Sequence, residues 1–182
     1  MAHIDLNNDL PGIRGLMAFR PEVAAHLNEL AELLLRADNS LSRGERELIG
    51  TYVSYLNDCA YCQSAHQVLA QHYMECGLEE MEKIKRNPET SDLPPKLKTL
   101  LAIAKCVQLG GNAVSENVIN LARKEGATDL EIHDTVLIAA SFCMFNRYVD
   151  GLGTHAPSDI QFYLGRAESR AKEGYAAYNP LH

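Results

Sequence analysis

Helix start and stop signals recur along the whole chain, and alternation of period two, the pattern of a half-buried strand, is scarce. The clearest signals are two capping boxes, "SRGE" at 42–45 and "TDLE" at 128–131. In such a box the first side chain and the glutamate three residues later bind each other's backbone amides. We therefore predict an all-α fold, a single-domain compact bundle of about seven to nine helices.

Caps and apolar stripes also predict where the helices lie. Asn57 is expected to cap one helix at its start, and Gly77 is expected to end that helix in the left-handed conformation. The predicted helices cover about 21–37, 43–56, 57–76 and 79–86, and three more begin near residues 94, 115 and 128.

The length of 182 residues suffices for one buried core, and no segment resembles an interdomain linker. We expect one domain over 1–182 with a core over about 20–155. The polar tail over 165–182, with tyrosines at 175 and 178, is expected to form either a short surface helix or an arm on a neighbouring subunit.

The charge balance excludes two classes of partner. A formal net charge of -7 repels nucleic acid and anionic membrane surfaces. No stretch approaches a membrane span, and the N-terminus lacks the apolar core of a secretory signal. We expect a cytoplasmic protein that binds neither nucleic acid nor membrane.

Five cysteines, an odd number, are spread along the chain, which is unlike a disulfide-stapled secreted fold. Cys106 and Cys143 lie in apolar runs and are expected to be small buried hydrophobic residues. Cys76 is expected to be structural, in the last turn of a helix.

The stretch "NDCAYCQSAH" at 57–66 carries the chemistry. On a helix Cys59, Cys62 and His66 lie at i, i+3 and i+7, which is one continuous face. A helix N-terminus favours thiolate, a histidine takes up a thiol proton, and a second cysteine traps an oxidised first one. Helical side chains lean toward the N-terminus, which brings His66 toward Cys62 as nucleophile, whereas the helix dipole favours Cys59.

Three other interpretations of the stretch are weaker than a redox pair. A zinc site could use the two cysteines and His66, but no second pair of ligands follows at the usual spacing. Covalent haem attachment needs histidine directly after the second cysteine, where this chain has Gln63. A purely structural role would leave unexplained why a helix N-terminus, a histidine and a second cysteine occur together here.

The run "LSRGERELIGTYVSYLNDCAYCQSAH" resembles the signature of the alkylhydroperoxidase D-like and carboxymuconolactone decarboxylase superfamily: a glutamate, eleven residues, C-x-x-C, three residues and a histidine. Glu47, Cys59, Cys62 and His66 match it. The stretches "LPPKLKTLLAIAKCVQLGG" and "GATDLEIHDTVLIAASFCMFNRYVDGLG" resemble the family's second half, so the similarity covers about 20–155. Length and tail resemble the peroxidase-related branch.

The resemblance implies a helical fold that assembles into trimers or hexamers and reduces hydroperoxides with thiols. It implies that Cys62 attacks the peroxide, that Cys59 resolves the product, and that His66 and Glu47 relay the proton. Periodicity alone would leave Glu47 on a solvated helix face. The family's further histidine before the second cysteine is replaced by Tyr61, which is expected either to donate a hydroxyl or to pack at the mouth of the site.

The function expected from the residues and the resemblance together is a thiol peroxidase that needs no metal, flavin or haem cofactor. A dithiol or protein reductant, lipoyl or thioredoxin-like, would regenerate it. The alternatives are a non-enzymatic thiol redox sensor or binding protein, and a decarboxylase-like enzyme on the same fold. Decarboxylase members of the superfamily lack the cysteine pair, and a shared fold is no argument for a shared reaction.

Overall fold

The structure is a computed structural model and describes residues 2–176. All regular secondary structure in this part of the chain is helical. The predicted all-α fold is confirmed, and the helices in this part number nine, within the predicted range. They are α1 (Ile13–Phe19), α2 (Pro21–Arg36), α3 (Arg43–Leu56), α4 (Ala60–Met74), α5 (Leu78–Arg86), α6 (Pro95–Leu109), α7 (Glu116–Lys124), α8 (Asp129–Gly151) and α9 (Ile160–Glu173). Short 3₁₀ turns occupy Pro88–Thr90 and Gly111–Ala113.

Both predicted capping boxes form. The Ser42 hydroxyl accepts from the Glu45 amide at 3.2 Å, and the Glu45 carboxylate accepts from the Ser42 amide at 2.7 Å. Thr128 and Glu131 exchange the same two bonds at the start of α8. These signals involve only residues three apart, and such local chemistry can be predicted from the sequence.

The predicted caps of α4 are wrong at both ends. Asn57 ends α3, and Cys59 takes the N-cap position of α4 after a residue with positive φ. The Asn57 amide instead donates to Asn146 Oδ1 at 2.8 Å. At the other end, Glu75 adopts the left-handed conformation, with φ of 54°, and Gly77 caps the start of α5. A contact to α8 thus outcompetes the local cap that Asn57 was expected to make.

Helices α1 and α9 extend the bundle beyond the predicted core of about 20–155. The predicted tail boundary at residue 165 falls inside α9, which begins at an Asp159 cap and buries Tyr163, Ala167 and Ala171. Helix α9 packs on α4, so this part of the tail is an integral helix of the bundle. Residues 177–182, including Tyr178, lie outside the described part.

Helix α3 lies at the centre of the bundle, in contact with α2, α4, α6 and α8. The larger apolar cluster fills the space around α3, α6 and α8. A smaller cluster surrounds the start of α4 and contains Cys59, Cys62, Tyr61, Val149 and Tyr163. The cysteine pair is therefore enclosed between α4, α8 and α9.

Of the remaining three cysteines, Cys106 and Cys143 are less buried than expected. Cys76, Cys106 and Cys143 are each partly exposed and free. The expectation that Cys106 and Cys143 are buried hydrophobic residues therefore holds only in part. Cys76 and Cys143 still pack against the larger cluster.

None of the helices among residues 2–176 combines the length and the apolarity that crossing a membrane requires.

Candidate functional site

The two cysteines occupy the first turn of α4. Cys59 is the N-cap residue, and Cys62 lies three residues into the helix. Both side chains are free thiols; Cys59 is fully buried and Cys62 is 4% exposed. Their thiols lie within hydrogen-bond reach of each other. The i, i+3 spacing thus brings two reduced sulfurs together in a closed environment.

The Cys62 thiol is not activated by its position alone. A hydrogen bond with Cys59 and burial raise the pKa of Cys62 well above the usual thiol value, and the Asn146 side chain lowers it by hydrogen bonding. The sequence had predicted that the helix N-terminus favours a thiolate there. Because burial and the paired thiol outweigh that effect, ionising Cys62 requires a proton acceptor.

Asn146 was not singled out from the sequence, although it lies directly beside Cys62. It is 1% exposed, accepts from the Asn57 amide, and donates to Ser54 Oγ at 3.0 Å. A polar side chain inside the long apolar run of α8 was the available signal. Its hydrogen bonds fix its amide next to the sulfur.

The Cys59 thiol has a carboxylate neighbour of its own. Asp150, near the end of α8, is within hydrogen-bond reach of Cys59. Partial burial raises the pKa of Asp150, and the bond from Cys59 opposes that effect. The two thiols therefore have different polar neighbours, Asn146 at Cys62 and Asp150 at Cys59.

Glu47 and His66 form a closely paired dyad between α3 and α4. Glu47 Oε2 lies 2.7 Å from His66 Nδ1, and the Glu47 side chain is 1% exposed. A buried carboxylate is stable only when it is hydrogen-bonded, so the imidazole donates from Nδ1. Nε2 of His66 is then the nitrogen that can accept a proton.

Phe142 of α8 holds the imidazole from the side. The two rings meet edge to face, with centroids 4.6 Å apart. Phe142 reaches this position because residue 50 of α3 is glycine: a Cβ there would lie 2.3 Å from the phenylalanine ring. The position of His66 thus depends on packing between α3 and α8.

A third polar side chain, which was not predicted from the sequence, is hydrogen-bonded to the Glu47–His66 dyad. Tyr175, just after α9, donates its hydroxyl to Glu47 Oε1 at 2.7 Å and lies 3.3 Å from His66 Nδ1. The sequence places this tyrosine in the polar tail, where no pattern assigns it a role. A separation of 128 residues from Glu47 leaves no local pattern that predicts the contact.

A pocket of about 130 Å³ opens onto Cys62 and His66. Its walls come from α1, α2, α4, α8 and α9, and most of the side chains are apolar, including Met17, Leu27, Leu35, Val68, Phe145 and Phe162. Arg14, Arg166 and Arg170 also line it. Cys59 does not line the pocket, so only one of the two sulfurs faces this space.

Tyr61 packs at the wall of the pocket. It is 7% exposed and meets Tyr163 edge to face, with ring centroids 5.8 Å apart. Tyr163 donates its hydroxyl to the Pro157 carbonyl, and burial, with the neighbouring thiols Cys62 and Cys59, raises the pKa of Tyr163 to about 12. The two tyrosines form an aromatic wall beside the sulfurs.

The comparison with protein families gives a match over most of the chain. The model of the carboxymuconolactone decarboxylase family matches residues 21–73 and 70–153. The chain belongs to the carboxymuconolactone decarboxylase family. The expected family is thereby confirmed, and the matched range includes Glu47, both cysteines and His66. No curated protein matches the chain.

Solved structures with a similar helical arrangement include three proteins from bacteria. One is an uncharacterized peroxidase-related protein from Ralstonia eutropha JMP134 with an alkylhydroperoxidase AhpD core; it has a TM-score of 0.76 and 28% identity, over 85% of this chain and 80% of that chain. An uncharacterized peroxidase-related protein from Silicibacter sp. TM1040 has a TM-score of 0.75 and 23% identity, over 85% and 79%. A protein of unknown function from Agrobacterium tumefaciens has a TM-score of 0.68 and 18% identity, over 79% and 97%.

In this carboxymuconolactone decarboxylase family member, the four residues singled out from the sequence lie on α3 and at or just after the start of α4. Cys62 and His66 face the pocket, Cys59 lies behind Cys62, and Glu47 lies behind His66. Among residues 2–176, no three histidine, cysteine or acidic side chains are arranged to hold a metal ion.

Proposed function

We propose that this protein is a thiol-dependent peroxidase that reduces hydroperoxides through Cys62 and Cys59. The observation that carries the proposal is that Cys62 and His66 line one pocket while Cys59 and Glu47 lie behind them. A substrate in the pocket would contact the Cys62 sulfur and the proton-accepting imidazole of His66 on the same surface. The Cys59 sulfur would lie next to Cys62, outside the pocket. A thiol peroxidase of this kind uses a nucleophilic thiol and a proton acceptor in its first step and a second thiol in its next step.

The first step oxidises Cys62. Nε2 of His66 takes the thiol proton, and the thiolate attacks the terminal oxygen of the hydroperoxide. The O–O bond breaks, Cys62 becomes a sulfenic acid, and the alkoxide leaves as the alcohol with the proton from His66. Glu47 stabilises the imidazolium while it holds the proton.

The second step forms a disulfide. The Cys59 thiol condenses with the Cys62 sulfenic acid, which releases one water molecule. An external dithiol, such as a lipoyl group or a thioredoxin-like protein, then exchanges with the disulfide and returns both thiols to the reduced state. The reductant would approach through the pocket and attack Cys62, since Cys59 has no exposed surface.

The chemistry of the pocket favours an organic hydroperoxide over hydrogen peroxide. Apolar side chains from five helices would remove an alkyl or aryl group from water, whereas hydrogen peroxide gains nothing from them. We therefore expect the ratio kcat/KM to be higher for an apolar hydroperoxide such as cumene hydroperoxide.

The test of the proposed activity follows hydroperoxide consumption in the presence of a dithiol. We expect Cys62→Ser to lose activity by about 100-fold or more, because the nucleophile is gone. Cys106→Ser is the matched control, since Cys106 lies on α6 away from the pocket, and it should retain wild-type activity. Full activity in Cys62→Ser would exclude the mechanism. Reversible disulfide formation without turnover would favour the redox-sensor alternative.

Two further proposals concern the molecule in the cell. A thiol pair that cycles with a reductant suits a reducing compartment, so we propose a cytoplasmic location. We also propose a homo-oligomer, a trimer or hexamer. Leu130, Leu137 and Met144, seven residues apart along α8, are 56%, 38% and 44% exposed. These three residues, the α8 stripe, suit a contact between copies.

A further inference from the structure

Tyr175 is hydrogen-bonded to the Glu47–His66 dyad and lines the same pocket as Cys62. Its hydroxyl donates to Glu47 Oε1 at 2.7 Å, while the other oxygen of Glu47 lies 2.7 Å from His66 Nδ1. The tyrosine ring also stacks beside the imidazole, with centroids 6.1 Å apart and planes inclined by 18°. The carboxylate is thus held by one donor on each oxygen.

The backbone around Tyr175 is fastened to α2 by two charged side chains. Glu32 Oε2 accepts from the Tyr175 amide at 2.6 Å and from the Ala176 amide at 3.3 Å. Arg36 donates to the Ala171 carbonyl at 2.6 Å and forms an ion pair with Glu32 at 3.0 Å. The segment 170–176, which we call the strap, therefore has a defined path to the site.

A glycine makes this path feasible. Gly174 adopts φ of +77°, and a Cβ at this position would lie 2.5 Å from Glu32 Oε2. Arg170 binds the Gly174 carbonyl at 2.8 Å. The left-handed turn brings the strap close to Glu32 and directs the next residue, Tyr175, inward.

The tyrosine hydroxyl remains a donor over the whole working pH range. Burial, followed by the neighbouring Glu47 carboxylate, raises the pKa of Tyr175 well above its usual value. A tyrosine that only filled space would direct its hydroxyl to solvent or to a backbone carbonyl, as Tyr73 and Tyr163 do. The Tyr175 hydroxyl instead donates to the buried carboxylate of Glu47.

We propose that Tyr175 is a positioning residue of this site. Its hydroxyl holds one oxygen of Glu47 so that the other binds Nδ1–H of His66, which keeps Nε2 free to take the Cys62 proton. This inference rests on the proposed peroxidase function for its kinetic consequence and on geometry alone for its effect on His66. Without the hydroxyl, Glu47 has one partner fewer, and the imidazole can exchange its proton between the two nitrogens.

The test compares Tyr175→Phe with Tyr73→Phe in the full chain. The first change removes the hydroxyl on Glu47 and keeps the ring; the second removes a hydroxyl that binds the strap at the Ala171 carbonyl. We expect Tyr175→Phe to lower kcat by about tenfold, the loss typical of one hydrogen bond to a charged group, with KM within about twofold. The ¹⁵N NMR signals of His66 should move from one fixed tautomer toward an exchange average. Tyr73→Phe should change neither quantity.

Each outcome decides the inference. Wild-type His66 signals in Tyr175→Phe would overturn it, and so would an equal change in both variants, since that would indicate a role in holding the strap alone. If the wild-type protein shows no hydroperoxide turnover, the proposed function is wrong. The His66 signals would still decide whether Tyr175 positions the imidazole. Glu32→Ala, which releases the strap backbone, should move the His66 signals in the same direction, and unchanged signals there would contradict the inference.

Discussion

At the scale of single residues, the ionisation of Cys62 depends on the side chains packed around it. Cys59, Cys62 and His66 could be aligned from their spacing, and the family resemblance added Glu47. The ionisation of Cys62 could not be predicted, because it depends on burial by α8 and α9 and on the thiol of Cys59. Local helix geometry alone favoured a thiolate, whereas the folded protein favours the neutral thiol.

The raised pKa of Cys62 predicts a pH dependence. In the reduced protein the thiolate fraction of Cys62 should be small at neutral pH and should increase with pH, with a midpoint above the ordinary thiol value of about 8.5. The measurement is the rate of Cys62 alkylation by iodoacetamide as a function of pH, followed by peptide mass spectrometry.

Cys59→Ala provides the control for this pH dependence. It removes the hydrogen bond that is the largest cause of the raised pKa of Cys62, so the midpoint should move down while burial keeps part of the effect. A wild-type midpoint below about 8.5 would show that the helix N-terminus dominates after all.

At the scale of the elements, helix starts with capping boxes were predictable and helix ends set by tertiary contacts were not. Ser42 and Thr128 act on amides three residues away, so their sequences suffice. Asn57 is drawn to Asn146 of α8, a partner that no local pattern indicates. Helix α1 was not predicted, and α9 was predicted only as one alternative for the tail, with a later start; both contribute walls of the pocket.

Gly50 links the packing of α3 and α8 to the site, and its substitution gives a stability prediction. In Gly50→Ala the new Cβ would meet the Phe142 ring, so α3 and α8 must separate. Overpacking of this kind costs about 1–3 kcal/mol of unfolding free energy. We expect a lower Tm by thermal unfolding and a reduced peroxidase rate, because Phe142 contacts His66.

Gly165→Ala is the matched control for this stability prediction. Gly165 is an exposed residue of α9, and a Cβ there meets no atom within 4 Å. Alanine in a helix is favoured over glycine by about 1 kcal/mol, so Tm should stay the same or rise. An equal loss of Tm in both variants would contradict the packing argument.

At the scale of the whole molecule, the family and the all-α fold were predictable, whereas the pocket was not. Five helices and the strap converge on Cys62 and His66, and Tyr175 reaches Glu47 across 128 residues. Contacts of this range arise only when the whole chain has packed. The sequence therefore predicted the reacting groups better than the space in which they meet.

Assembly into a homo-oligomer is tested on the α8 stripe. Leu137→Glu places a charge at its centre and should dissociate the assembly to single chains, as measured by size-exclusion chromatography with light scattering. Leu33→Glu is the control, because Leu33 is 67% exposed on α2, outside the stripe, and should leave the mass unchanged. A wild-type mass of one chain would refute the proposed oligomer.

The central claim is that Cys62 meets the peroxide and that Cys59 resolves it. The most direct measurement traps the sulfenic acid with dimedone after one equivalent of hydroperoxide and locates the adduct by peptide mass spectrometry. We expect an adduct on Cys62 in Cys59→Ser, no adduct on Cys59 in Cys62→Ser, and a Cys59–Cys62 disulfide in the wild type. An adduct on Cys59 in Cys62→Ser, with Cys62 unmodified in Cys59→Ser, would contradict it.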